Sequence, residues 1–164
     1  MRLWNPLSSE TPLHMLTGHK DAINAMCAIE VGSHVLLATG GADATIRLWD
    51  PVTGETVRTI HRSAEPVLKL CPLEVEGKSL LACTTGDAIQ LWDAASGDAV
   101  LTLRGHSDDI GALCTLPVHG RTFLASGGLD HTVRLWDPAR VQVTEAHAVH
   151  AVCVVSVDGN AVLT

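Results

Sequence analysis

Four tryptophans divide the sequence at nearly equal steps: Trp4, Trp49, Trp92 and Trp136, at spacings of 45, 43 and 44 residues. Three of them sit in one phrase, TIRLWDP ending at Pro51, AIQLWDA ending at Ala94 and TVRLWDP ending at Pro138, and RLWNP at 2–6 is its shortened form. Upstream, TGHKDAINAMC (17–27) matches RGHSDDIGALC (104–114), while IHRSAEPVLKLC (60–71) and TEAHAVHAVC (144–153) fill the same slot in the other units. A self-similar period of this length marks a supersecondary unit that cannot bury its apolar face alone and stacks on copies of itself.

Each unit reads as four short strands. In the first complete unit β-type runs fall at 22–29, 34–39, 44–49 and 55–60, separated by Gly32-Ser33, Gly40-Gly41-Ala42-Asp43 and Asp50-Pro51-Val52-Thr53-Gly54. Their length and β-branched content fit strands, and no segment keeps a helical period, so an all-β chain of four-stranded antiparallel meanders is expected. With one Phe and no Tyr among 164 residues, Val, Leu, Ile and Ala must fill the core, and the Trp residues mark one repeated position.

Gly18-His19 and Gly105-His106, each followed about 30 residues later by Trp-Asp, make the chain resemble the WD repeats that form β-propeller blades. The resemblance implies a WD40-type propeller with about four blade equivalents per chain. It divides the sequence into third and fourth strands of a split blade (1–17), a blade (18–60), a degenerate blade (61–104), a further blade (105–145), and first and second strands of a split blade (146–164). It also implies a structural tetrad in each blade: His19, Thr39, Asp43 and Trp49 in the first, and His106, Ser126, Asp130 and Trp136 in the third. Such a chain of donors and acceptors is costly when half satisfied. The middle unit offers His61, Thr84, Asp87 and Trp92. There the His follows Ile60 instead of Gly, the turn is two residues shorter, and Asp87 lies five residues before its Trp where the others lie six. In the last unit Thr144-Glu145 stands where Gly-His would fall.

The His, Asp and hydroxyl of each tetrad look like a hydrolase triad, but a nucleophile has no need to recur beside a Trp in successive units. No catalytic residue is therefore expected. Cys27, Cys71, Cys114 and Cys153 hold one repeated position, which reads as a small apolar residue of a buried strand. His147, His150 and Cys153 follow at three-residue steps, yet in a strand that spacing alternates faces, so no metal site and no cofactor are expected. His14, His34, His119 and His131 fall at strand ends and turns and read as solvated.

Lys plus Arg number 11 against 18 for Asp plus Glu, a net charge of −7, which argues against nucleic acid and anionic membrane surfaces as partners. No apolar run approaches bilayer length, the start at 1–6 has no leader pattern, and five Cys without a CxxC pair point to reduced thiols in a cytoplasmic setting. The two ends carry complementary halves of one blade. Four blades close too tight a ring for the resembled family, so the expected partner is a second copy, a homodimer completing an eight-bladed ring; the alternative is a piece of a longer WD repeat protein. Function then reads as a non-enzymatic protein-interaction scaffold, with a propeller-framed enzyme at the channel mouth as a further alternative. The resemblance places candidate top-face binding residues at Asn24, Ala42, Leu68, Asp109, Leu129 and His150.

Overall fold

Apolar and β-branched residues alternate in short runs between Gly-, Asp- and Pro-containing turns, and each run pairs with the next. The computed structural model describes residues 1–3, 13–60 and 65–140 and the backbone of 61, 149–150, 156–157 and 160–161. At the start β1 (Arg2–Leu3) pairs antiparallel with β2 (His14–Met15). The first full sheet is the meander β3 (Ile23–Val31), β4 (His34–Gly41), β5 (Thr45–Trp49) and β6 (Thr56–His61). The middle sheet repeats it with β7 (Lys69–Val75), β8 (Lys78–Thr85), β9 (Ala88–Asp93) and β10 (Ala99–Arg104). In the third, β11 (Ile110–Val118), β12 (Arg121–Gly128) and β13 (Val133–Trp136) follow the same order.

Of the closing segment, β14 (Val149–His150) lies parallel to β10, and β15 (Ser156–Val157) pairs antiparallel with β16 (Asn160–Ala161). The first strand expected near 150–157 falls largely outside the described residues. The outer edge of β10 presents unpaired backbone groups that a short segment can satisfy. The fourth strand expected near 141–145 lies outside the described residues, as does Trp4.

The sheets stack through their faces. Side chains alternate sides along every strand, so each sheet has a face bearing its Trp and an opposite, trailing face. Ile29, Leu36, Ala38, Ile46, Leu48 and Ile60 on the trailing face of the first sheet pack against Val67, Leu81, Cys83, Trp92 and Ala94 of the middle one. Cys71, Leu73, Leu80, Ala82, Ile89, Leu91 and Leu103 then pack against Ile110, Leu124 and Trp136 of the third. Burying each large apolar side chain contributes about 1.5–3 kcal/mol, so these two seams hold the array together. First strands adjoin one another, β3 beside β7 and β7 beside β11.

The repeated cysteines share one register, opposite Ala38, Ala82 and Ala125. Their burial differs: Cys71 is buried, Cys27 half-buried and Cys114 exposed, because among the described residues a following sheet covers the first two only. A buried core role therefore fails for Cys114. His14, half-buried, donates from Nε2 to the Val52 carbonyl at 2.8 Å in an exposed bond that ties β2 to the first sheet.

Candidate functional site

Two polar networks brace the first and third sheets. In the first, Trp49 Nε1 donates to Thr39 Oγ1 at 2.8 Å, and Thr39 Oγ1 meets His19 Nε2 at 2.8 Å. His19 Nδ1 lies 3.0 Å from Asp43 Oδ1. All donors find acceptors if Nδ1 carries the imidazole proton, with the Thr39 hydroxyl donating to the bare Nε2. In the third sheet Trp136 Nε1 donates to Ser126 Oγ, Ser126 Oγ meets His106 Nε2, and His106 Nδ1 meets Asp130 Oδ2, all at 2.8 Å. The structure thus brings together His19, Thr39, Asp43 and Trp49, and likewise His106, Ser126, Asp130 and Trp136.

Sequence reasoning missed one member of each network. The Thr45 hydroxyl donates to Asp43 Oδ1 at 2.8 Å, and that of Thr132 donates to Asp130 Oδ1 at 2.8 Å. Its signal was the Asp-x-Thr spacing present in both units and lacking in the middle one. The intervening Ala44 and His131 adopt left-handed φ of 59° and 62°, which turns the carboxylate back on its own strand. The Lys20 and Ser107 backbone N–H groups donate to the second carboxylate oxygens. Desolvation alone would push the Asp43 carboxyl up, but hydrogen bonds from Lys20, Thr45 and His19 outweigh it and hold it well below the usual carboxylate range. Asp130 balances the same way, with Thr132, His106 and Ser107 as donors. Thr39 and Ser126 are 0% and 2% exposed, and their oxygens are committed to an indole and an imidazole. A hydroxyl so placed braces strands and has no access to a substrate.

In the middle sheet the expected grouping of Thr84 and Asp87 is corrected by register. Thr39 opposes Arg47 and Ser126 opposes Arg134, each two residues before the Trp; the residue opposing Gln90, two before Trp92, is Cys83. Thr84 opposes Ile89 instead, and so points to the other face. Asp87 is exposed in the shortened hairpin, 3.7 Å from Arg104. The side chain of His61 lies outside the described residues. With a thiol where the others have a hydroxyl, the buried Trp92 Nε1 faces only the weak acceptor sulfur of Cys83, and Thr84 Oγ1 and Gln90 Oε1 are buried without a hydrogen-bond partner. Burial pushes the Cys83 thiol up to about 11, and burial beside Cys71 takes Cys27 to about 12, so neither is a ready nucleophile.

A second feature opens at the ends of the sheets where the first strands begin. Asn24, Leu68, Lys69, Asp109, Ile110, Gly111 and Leu129 line an open groove of about 390 Å³ that crosses all three sheets. Asn24, Leu68, Asp109 and Leu129 were expected at a binding face. Ala42 and His150 do not line this groove, and His150 stands beside Arg104 at the outer edge of the middle sheet. Two of the lining residues sit at bulges. The register shifts between Ile23 and Ala25 and between Ile110 and Ala112 leave Asn24 and Gly111 as extra residues, and a bulge re-aims what it carries. Asn24 Nδ2 donates to Val67 O at 3.0 Å, which fixes the wall between the first and middle sheets. Lys69, which no motif announced, gives the groove a cation in addition to the carboxylate of Asp109. Among the described residues no group of His, Cys, Asp and Glu is placed to hold a metal ion, and no helix is long and apolar enough to cross a membrane.

The model of the WD domain, G-beta repeat family matches residues 10–50 and 97–137, the two stretches that carry the complete tetrads. The chain belongs to the WD40 repeat family. Its WD40 repeats are similar to nuclear distribution protein PAC1 of Gibberella zeae, 33% identical over 78 residues, which cover 44% of this chain and 17% of that protein. WD repeat-containing protein 88 of Homo sapiens is 41% identical over 66 residues, 40% of this chain and 13% of its own length. The WD repeat-containing protein 89 homolog of Dictyostelium discoideum is 41% identical over 58 residues, 35% of this chain and 16% of that one. The chain thus spans under a fifth of the length of these curated relatives. The WD40 family is in general one of non-enzymatic scaffolds.

Proposed function

We propose that this chain is a non-enzymatic interaction scaffold that receives an extended segment of a partner protein in the groove across its three sheets, and that its array closes into an eight-bladed ring with a second copy. The observation that carries the reading is the convergence of Asn24, Leu68, Asp109 and Leu129, from separate sheets, on one groove beside rigidly braced turns. Leu68, Ile110 and Leu129 supply apolar contact, and Asp109 and Lys69 fix polarity and direction. Leu129 is 62% exposed, a large apolar side chain at the groove rim. The free thiols of Cys27, Cys71, Cys83 and Cys114 suit a reducing, cytoplasmic setting.

Panning a displayed peptide library against the immobilised chain tests the groove. Enriched peptides should lose at least about tenfold in affinity for Leu129→Asp and for Asp109→Lys, the loss expected at an interface anchor. They should bind His34→Ala, an exposed site outside the groove, unchanged. Failure to enrich any peptide, or enrichment indifferent to both groove variants, would overturn the proposal.

A further inference from the structure

The seam between the first and middle sheets contains a small cavity. Ile46 and Ile60 of the first sheet line it together with Val67, Cys83, Gln90 and Trp92 of the middle one. Ile46, Ile60, Val67 and Cys83 are all buried, so the cavity sits within the packed seam. It measures about 10 Å³, about the room that one water needs and far less than an organic ligand would fill. Most of its wall is apolar, yet two of the lining side chains carry unsatisfied polar atoms. Gln90 Oε1 is buried without a hydrogen-bond partner, and the buried Trp92 Nε1 meets only the weak acceptor sulfur of Cys83. Such groups are costly to leave alone.

The register explains why this combination falls in the middle sheet. Thr39 opposes Arg47 and Ser126 opposes Arg134, a hydroxyl facing a cation that has no acceptor to offer. In the middle sheet the same pair is Cys83 and Gln90. The thiol withdraws the good acceptor from the indole, and the amide adds an acceptor of its own. Gln90 and Trp92 stand two residues apart on β9 and so share a face. Donor and acceptor therefore line one cavity, the arrangement that a bridging water satisfies. We propose that this cavity is a binding site for one ordered water, which accepts from Trp92 Nε1, donates to Gln90 Oε1 and turns its second hydrogen towards the Cys83 sulfur. A buried water with about three such partners is a component of the fold. It supplies in the middle sheet the oxygen that Thr39 and Ser126 present to Trp49 and Trp136. The bridge is enthalpically close to a direct bond but carries a cost of immobilisation, so a side-chain hydroxyl remains the stronger partner. The site depends on neither the groove nor ring closure.

Magnetisation transfer from water to the indole protons, read by NMR on the isotope-labelled full chain, tests the site. The Trp92 signal is assigned by its loss in Trp92→Phe. In the wild type Trp92 Hε1 should receive magnetisation from water with the sign of a long-lived contact. The transfer should persist in Cys83→Ala, which has no thiol proton to relay it. It should be lost in Gln90→Leu, which keeps the bulk of the side chain and removes the acceptor. A crystal structure of the wild type should show one water within hydrogen-bond distance of both Trp92 Nε1 and Gln90 Oε1. If the wild type lacks either the transfer or that water, the proposal is overturned. Transfer that vanishes in Cys83→Ala also overturns it, since the thiol was then the relay. So does transfer unchanged in Gln90→Leu, which would leave Gln90 out of the site. Should either variant fail to fold, the two wild-type measurements decide.

Discussion

Replacing Thr39 by Val removes one oxygen and keeps the shape. That oxygen is fully buried and serves two partners, accepting from Trp49 Nε1 at 2.8 Å and bonding His19 Nε2 at 2.8 Å. Trp49 is 1% exposed, so water cannot take over. A buried polar group left without its partner costs about 1–3 kcal/mol. Two such groups, less the small gain from burying a methyl in place of a hydroxyl, put the loss near 2–4 kcal/mol. In a urea titration followed by tryptophan emission, with a slope of about 1–3 kcal/mol per molar, the midpoint should fall by about 0.7 M or more. The middle sheet supplies the comparison within the same molecule. Trp92 Nε1 there faces only the weak acceptor sulfur of Cys83, so Cys83→Val removes far less than Thr39→Val and should move the midpoint far less. Equal losses from Thr39→Val and Cys83→Val, within about 0.5 kcal/mol, would refute the idea that these networks stabilise through satisfied hydrogen bonds.

Three further outcomes follow from the same geometry. Cys83→Ser gives Trp92 Nε1 the acceptor its counterparts have and should raise stability by about 0.5–1.5 kcal/mol, a typical net hydrogen bond; a urea midpoint unchanged or lowered would count against the register assignment. The Asp43 and Asp130 carboxyls are held below their unfolded value, so the folded state binds those protons more weakly. Their contribution is complete above about pH 5 and declines as pH falls through the unfolded value near 4 toward the lower folded values. Wild-type midpoints should drop steeply over that acid window, and Asp43→Asn with Asp130→Asn should flatten the slope; a wild type insensitive to acid there would sink the argument. A Cβ on Gly128 would meet His106 Nδ1 and Asp130 Oδ1, the latter at 2.8 Å, so Gly128→Ala should cost about 1–3 kcal/mol by overpacking. Gly111→Ala, whose Cβ would find its nearest atom at 4.0 Å, should be close to neutral in the same assay.

The repeat made much of this legible. Equal Trp spacing fixes a unit, the unit fixes a meander, and the His-to-Trp phrases place two complete networks. Strand ends were less visible: β4 continues past Thr39 to Gly41, because the ladder to β3 persists wherever the backbone stays extended. The middle unit misled for a definite reason. Counting from the turn points to Thr84, but a shorter hairpin moves the register by one, and one residue turns a strand's side chain to its opposite face. Exposure of Cys114 was illegible because it depends on the next sheet and not on the strand that carries it. Lys69 entered the groove unannounced, since an exposed lysine at the start of a strand has no pattern to single it out.

The bracing network and the groove meet in one turn of the third sheet. Leu129 N–H donates to Asp109 O at 2.8 Å, which joins two groove residues across the loops before β11 and after β12. Next in the chain, Asp130 grips His106 and the Ser107 N–H, and so ties the same two loops together from the buried side. In the first sheet the arrangement recurs: Ala42 N–H donates to Ala22 O while Asp43 holds His19 and the Lys20 N–H. A groove shaped this way loses little conformational freedom when it binds, which is how a rigid frame becomes affinity. Asp130→Asn touches no ligand, yet it weakens the clamp that sets the Leu129–Asp109 bond. Peptides selected on the wild type should therefore bind this variant more weakly even where circular dichroism reports it fully folded, with the loss in a faster off-rate. An off-rate equal to wild type would mean that the groove holds its shape without the network, and that the tetrads contribute to stability alone.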